Sequence, residues 1–288
     1  MRRVIIFLFL LGSLLSAKEI SITTWNLEWF PAGYSKGVAT PEVESRRIED
    51  AAAALRNLDS DIIVLQEVRD YEACDALAKA ISPAYQVLVC TAFKSGFGGA
   101  KGLQQVAILS KYPAQSCWSE DWKTFGKVDP PRGFAFAHIN IDGKNIAVYG
   151  VHLKSNLIMG GDKFKINQIN ILKRELASEQ VIAHYKMLPK TLGHSFDAVI
   201  VAGDFNTNKD QLSFASEKTL QIFEENEFAS GFESASPQQR ITHPSKGVYP
   251  DATFDYIFVR GSKEKILKPS ISKYQVSDHL PVTTKSLL

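Results

Sequence analysis

Two β-sheets packed face to face, with helices on the outside, are the fold class this sequence predicts. The first observation is bulk: 288 residues, 45% of them hydrophobic, with no internal repeat and no low-complexity linker, supply one large core. The second is alternation, since strand-type and helix-type segments follow one another along the chain. The third is a long central succession of strands joined by short turns, which a purely alternating α/β fold lacks.

The elements follow in order. Residues 19–25 (EISITTW) read as a strand. Residues 43–58 read as a helix, with Ile48, Ala51, Ala52 and Leu55 on one face. The nearly continuous apolar run 61–66 (DIIVLQ) is a buried strand. Residues 71–81 return to helical spacing. Strands are expected at 85–91, 105–110, 116–121, 134–141 and 145–152, with Asp142-Gly143 as a tight turn. A long helix is expected over 163–188, its apolar face drawn by Ile169, Leu172, Leu176, Ala183 and Met187. A strand at 198–203, a helix near 217–225, and strands at 254–260 and 281–286 complete the chain. Residues 93–102 (FKSGFGGAKG) read as a mobile loop.

The first 17 residues stand apart: Met1-Arg2-Arg3 is positive, 4–15 is apolar, and Ser16-Ala17 offers a small-residue cleavage site. That order is a secretory signal peptide, too short for an ordinary membrane span. The expectation is an exported protein, periplasmic or extracellular, with one domain over 18–288 and no stable membrane association. Arg2 and Arg3 account for the whole net charge of +2, so any attraction to phosphate must be local. Among three cysteines, an oxidising compartment favours one bridge, and Cys74–Cys90 is the expected pair: Cys74 starts a helix and Cys90 ends the strand returning beside it.

The apolar runs end alike. ISITTW runs into Asn26, DIIVLQ into Glu67, NIAVYGV into His152, and AVIVAG into Asp204 and Asn206. Asp255 opens the strand containing IFV, and Asp278-His279 precedes Leu280-Pro281. Strand ends on one edge lie close together, so these groups are expected on a single rim. Asn26, Glu67 and Asp278 offer hard oxygen ligands suited to Mg²⁺, with Mn²⁺ as a substitute. A zinc site fits poorly, since no His-x₃-His or Cys pair has ligand spacing. His152 and His279 are acid–base groups near neutrality, while His138, His184, His194 and His243 show no site context. Asp255 is placed to orient an imidazole, and Asp204 with Asn206 to polarise an attacking water.

TTWNLEW, IIVLQEVRD, VAILSKYP, VHLKSN, VAGDFN, FDYIFV and SDHLPV, in this order over 22–282, resemble the endonuclease/exonuclease/phosphatase superfamily, in particular its secreted deoxyribonuclease-like members. The resemblance implies a four-layer α/β sandwich and metal-dependent hydrolysis of phosphate esters. It places Asn26 and Glu67 at the metal, with Asp278 near metal or water. Asp204 and Asn206 fall at nucleophile and phosphate, and Asp255 with His279 as general base. It gives His152 a role at the phosphate or leaving group, and Arg69 and Arg132 contacts to a nucleic-acid substrate. In pancreatic-type deoxyribonuclease a Glu before the fourth strand supports the histidine; Gln104 and Gln105 stand there in this chain.

The leading expectation is therefore an exported, single-domain, Mg²⁺-dependent endonuclease acting on DNA or RNA as a monomer. The alternatives are a lipid or sugar phosphoesterase of sphingomyelinase or inositol-phosphatase type on the same scaffold, and a toxin-like or binding subunit that needs a delivery partner.

Overall fold

The computed structural model describes residues 18–33, 39–94, 102–158, 160–247, 249–261 and 266–287. The expected leader 1–17 and most of the expected loop 93–102 lie outside the described residues. Twelve strands and four α-helices follow in the order β1 (Glu19–Phe30), α1 (Pro41–Leu58), β2 (Ile62–Val68), α2 (Tyr71–Ile81), β3 (Gln86–Cys90), β4 (Gln105–Ser110), β5 (Ala114–Asp121), β6 (Gly133–Ile141), β7 (Lys144–His152), α3 (Lys163–Leu192), β8 (Ala198–Asp204), α4 (Thr219–Glu225), β9 (Phe228–Ala229), β10 (Asp255–Arg260), β11 (Ser270–Ile271) and β12 (Val282–Leu287).

The strands form two six-stranded sheets, ordered β11-β12-β1-β2-β4-β3 and β5-β6-β7-β8-β10-β9. Both are mixed: β1 runs parallel to β2 and β7 parallel to β8, and the other pairs are antiparallel. Strand period explains the layering. Along β2, Ile62 and Val64 join the core that also holds Ala135, Val148 and Ile200 of the second sheet. Ile63 and Leu65 join a separate core with Ala51, Leu55, Cys74 and Leu77 of α1 and α2. Val181 of α3 and Phe223 of α4 pack with the second sheet, which completes four layers.

Gly150 sets the distance between the sheets. A Cβ there would lie 2.8 Å from Val106 Cγ1 and 3.0 Å from Val64 Cγ1 on the opposing sheet. Gly203 acts within its sheet: its φ is +154°, and a Cβ would lie 1.9 Å from the Val151 carbonyl oxygen. Any larger residue would push β8 off β7 just before Asp204.

Two expectations need correction. The inner face of α3 is not the one drawn from its apolar residues: Ile169, Leu172 and Met187 are exposed, while Asn170, Ile171, Arg174, Ala177, Ser178, Val181, Ile182 and Leu188 are buried. The cause is a buried ion pair. The Arg174 guanidinium donates from Nε and Nη2 to the Glu217 carboxylate, both at 2.6 Å, and a charge on the inner face reverses what hydropathy suggests. The second concerns β1, which runs past Trp25 to Phe30 with an irregularity in its pairing after Asn26. The Cys74 and Cys90 sulfurs lie 3.6 Å apart, in contact but beyond bonding distance.

Candidate active site

The C-terminal ends of the two parallel strand pairs carry the polar groups to one rim. Asn26 ends the regular part of β1, Glu67 lies near the end of β2, His152 ends β7 and Asp204 ends β8. His152 stands opposite Asp204 in the parallel register, and Asp255 opposite Asp204 in the antiparallel one. Local backbone then re-aims the side chains. Glu67 has φ +60° at a register shift between β2 and β4, the effect of a bulge that turns one residue out of the alternation. Glu28, Trp29, Arg132 and Asn206 also have positive φ. Such strained residues persist where surrounding structure over-determines them, and they cluster at functional sites.

Asn26 bridges two carboxylates: its Nδ2 donates to Glu67 Oε1 at 3.3 Å and to Asp204 Oδ2 at 3.1 Å. Its Oδ1 accepts the Glu28 amide at 3.0 Å. Glu67 Oε2 accepts the Trp29 amide at 3.1 Å. Asp204 Oδ1 accepts the Asn206 amide at 2.8 Å, and Asn206 Nδ2 donates to the Leu153 carbonyl at 3.3 Å. Burial pushes the Asp204 carboxyl up to about 7 despite His279 beside it.

Asp255 and His279 form the expected pair, Oδ2 to Nδ1 at 2.8 Å. Burial opposes the charge on His279, but Asp255, Asp204 and Asp278 outweigh it and raise the imidazole to about 10. His279 Nε2 faces Asp204 Oδ2 at 4.0 Å. The carboxylates thus favour the charged form of His279, whereas the resemblance gives it the role of general base.

His152 differs. Its Nε2 lies 3.6 Å from Asp204 Oδ2 and 3.8 Å from Glu67 Oε1. Its Nδ1 is buried and has no hydrogen-bond partner among the described residues. Burial, then the charges of Arg132, His279 and Lys154, hold it well below the usual imidazole range, so it is neutral. Neither glutamine supports it: Gln104 faces Arg132 Nη1 at 3.5 Å, and Gln105 ties together Thr91, Phe93 and Gly102.

The remaining expected residues sit at the edges. Asp278 lies beside His243, whose Nε2 is 3.8 Å from its Oδ2. Burial works to raise this carboxyl, but the His243 and His279 imidazoles outweigh it and hold it at about 2. Arg132 donates to the carbonyls of His152 at 2.9 Å and Leu153 at 2.8 Å, so it braces the end of β7. Arg69 is paired with Glu44 and with Asp70, the latter at 2.9 Å, so an anion would have to compete for it.

The sequence reading passed over four supports. Arg47 of α1 donates to the carbonyls of Leu27, Glu28 and Val276, joining the segment after Asn26 to the segment before Asp278. Trp25 Nε1 donates to the His279 carbonyl at 2.9 Å, and Ser277 Oγ to the Asn26 carbonyl at 2.7 Å. The His243 ring lies 4.8 Å from that of His279. Trp25 and Ser277 lie inside recognisable motifs; nothing near His243 in the chain signals its neighbour.

The model of the Endonuclease/Exonuclease/phosphatase family matches residues 23–279. The chain belongs to this family. Solved structures of similar fold include truncated TDP2 from Caenorhabditis elegans, 15% identical, TM-score 0.62, covering 94% of this chain and 98% of that one. SmcL is 16% identical with TM-score 0.66, covering 93% of this chain and 99% of that one. A mannosyl-6-phosphatase from Bacteroides thetaiotaomicron is 15% identical with TM-score 0.63, covering 92% and 98%. Phospholipase C of Staphylococcus aureus is 26% identical over 169 residues, 54% of this chain and 48% of that protein. The chain thus spans about half the length of the curated relatives it matches.

Family members are metal-dependent phosphoesterases, and the donor set here suits a hard divalent cation. Among the described residues the Glu67 carboxylate accepts from two N–H donors, and Asp204 lies next to it across Asn26. Asp204, Asp255 and His279 also offer ligand atoms within 4.8 Å of one another. Among the described residues no helix is long and apolar enough to cross a membrane.

Proposed function

We propose that this protein is an exported phosphodiesterase whose principal substrate is nucleic acid, cut internally. The observation that carries the reading is the placing of two imidazoles about one carboxylate: His152 Nε2 and His279 Nε2 lie 3.6 Å and 4.0 Å from Asp204 Oδ2. In this reading Asp204 takes a proton from the attacking water, with Asn206 beside it. His279, oriented by Asp255, donates to a phosphate oxygen as charge develops there. Neutral His152 donates to the phosphate or the leaving oxygen. Glu67, with Asn26 and Asp278, would hold a Mg²⁺ ion, which supplies charge stabilisation at phosphorus. The chain's own cations on this rim, Arg132 and Lys154, favour a polyanion.

A lipid phosphodiester is the second reading. It is favoured by the likeness to phospholipase C and by Leu157, which is 61% exposed one residue beyond Asn156, itself bonded to the Asn206 carbonyl. The deciding experiment compares supercoiled plasmid, RNA and sphingomyelin vesicles, with Mg²⁺ and with chelator. Nicked circles preceding linear DNA, lost on chelation and in His279→Ala, support the nuclease. Intact plasmid beside His279-dependent sphingomyelin hydrolysis would move the assignment to lipid. Export is tested by N-terminal sequencing, which should begin near Lys18.

A further inference from the structure

Lys154 follows the catalytic rim directly, two residues after His152. The backbone on either side of its position is held firmly. The Leu153 carbonyl accepts from Arg132 at 2.8 Å and Asn206 at 3.3 Å, and the Lys154 carbonyl accepts from Arg174 Nη1 at 2.9 Å. Arg174 is itself neutralised by Glu217.

The ammonium group has no such counter-charge. Its Nζ donates to Ser155, to the carbonyl at 2.8 Å and to Oγ at 3.2 Å, both neutral acceptors. Among the described residues no carboxylate forms an ion pair with it. Burial, then the cationic charges of Arg132, Lys173 and Arg174, hold it down at about 8. Half-buried charges without a partner are costly, and one kept beside an active site implies that an anion arrives with the substrate.

The scissile phosphate does not account for that anion. Lys154 makes no hydrogen bond to His152, Asp204, Asn206 or His279, and its side chain turns instead to Ser155, further along the chain. A polynucleotide brings a second phosphate beside the one that is cut. A phosphocholine diester brings a quaternary ammonium, which Lys154 would repel.

We propose that Lys154, with Ser155, binds the phosphate adjoining the scissile diester and so selects polynucleotides over phosphodiesters with a cationic headgroup. This rests on the nuclease reading given above and names the residue that would enforce it.

The test is steady-state kinetics of the wild-type protein, Lys154→Gln and Lys154→Arg. One substrate is a short oligonucleotide. The other is bis-p-nitrophenyl phosphate, a diester with a single phosphate. A charge-assisted bond is worth about tenfold or more in affinity, so Lys154→Gln should raise KM for the oligonucleotide by about that factor beyond any change with the small diester. The dependence of log KM on log salt should become shallower by about one phosphate contact. Lys154→Arg should recover most of both effects, which a merely structural role for the side chain would not produce. Equal losses on the two substrates would overturn the proposal, because Lys154 would then act at the scissile group or through folding. An oligonucleotide KM and salt slope unchanged in Lys154→Gln, with wild-type cleavage intact, would overturn it and leave the nuclease reading standing. Wild-type hydrolysis of the small diester with no cleavage of the oligonucleotide would remove the nuclease reading, and this proposal with it.

Discussion

Glu67 shows how much one residue depends on its backbone. In a regular strand its side chain would follow the alternation, but at φ +60° it turns toward Asn26 and His152. As the proposed cation ligand, Glu67→Ala should lose at least ~10²-fold in turnover at ordinary Mg²⁺ while keeping its circular dichroism spectrum, since no neighbouring group replaces a carboxylate on a hard ion. Wild-type turnover with wild-type metal dependence would make Glu67 a solvated strand-end residue. His279→Ala should cost at least ~10²-fold, the usual worth of a positioned acid–base group. Asp255→Asn should cost less, and the double variant far less than the product, because the two act as a unit. The pH dependence has a definite sign. Asp255 is the largest of the influences that raise His279 to about 10, so its removal lowers the pKa of the imidazolium. The alkaline limb of the kcat profile should therefore move to lower pH in Asp255→Asn. A limb that stays in place would show that His279 does not act as the charged donor.

At the scale of elements, α3 carries the clearest departure from hydropathy. Arg174 sits on its buried face, wholly enclosed, and holds Glu217 ahead of α4 and the Lys154 carbonyl beyond β7. Arg174→Met should destabilise the protein by about 3–5 kcal/mol, read by chemical denaturation, because Glu217 would be left charged and unpaired. A smaller loss in Arg174→Met/Glu217→Leu would confirm that the orphaned charge is the cause. The unit formed by α2 and β3 brings Cys74 and Cys90 within 3.6 Å, while Cys117, on β5, donates its thiol to the Leu88 carbonyl of β3. Peptide mapping of exported protein under non-reducing conditions should find Cys74 joined to Cys90, worth roughly 3 kcal/mol in the chain-entropy model. A bridge containing Cys117 would refute that pairing.

At the scale of the whole molecule, the site exists only because two sheets meet closely. Asn26 and Glu67 come from one sheet, His152, Asp204 and Asp255 from the other, and the contact from Asn26 to Asp204 spans 3.1 Å. Gly150 permits that approach, since its missing Cβ is where Val64 and Val106 pack. Gly150→Ala should therefore cost about 1–3 kcal/mol by overpacking. It should also lower kcat, because parting the sheets separates the two halves of the rim. Loss of stability with full turnover would show that the rim tolerates such a shift.

Much of this was legible along the chain because it is local. Apolar runs that stop on a carboxylate, amide or imidazole mark buried strands with polar ends, and Asn26, Glu67, His152, Asp204 and Asp255 meet at one rim. The layers followed from the mixture of helices and successive strands within one large core. What only the tertiary structure decided are relations between distant segments. Whether Arg69 is open to an anion depends on Glu44, 25 residues earlier. The inner face of α3 depends on Glu217, 43 residues beyond Arg174. The place of His243 beside His279 depends on how two loops pack, and the solitary state of His152 Nδ1 on two glutamines turned elsewhere. Residue type and spacing set what a side chain is able to do. Burial and the charges brought next to it by folding set its protonation and its partners, and those are not written in any one stretch of the chain.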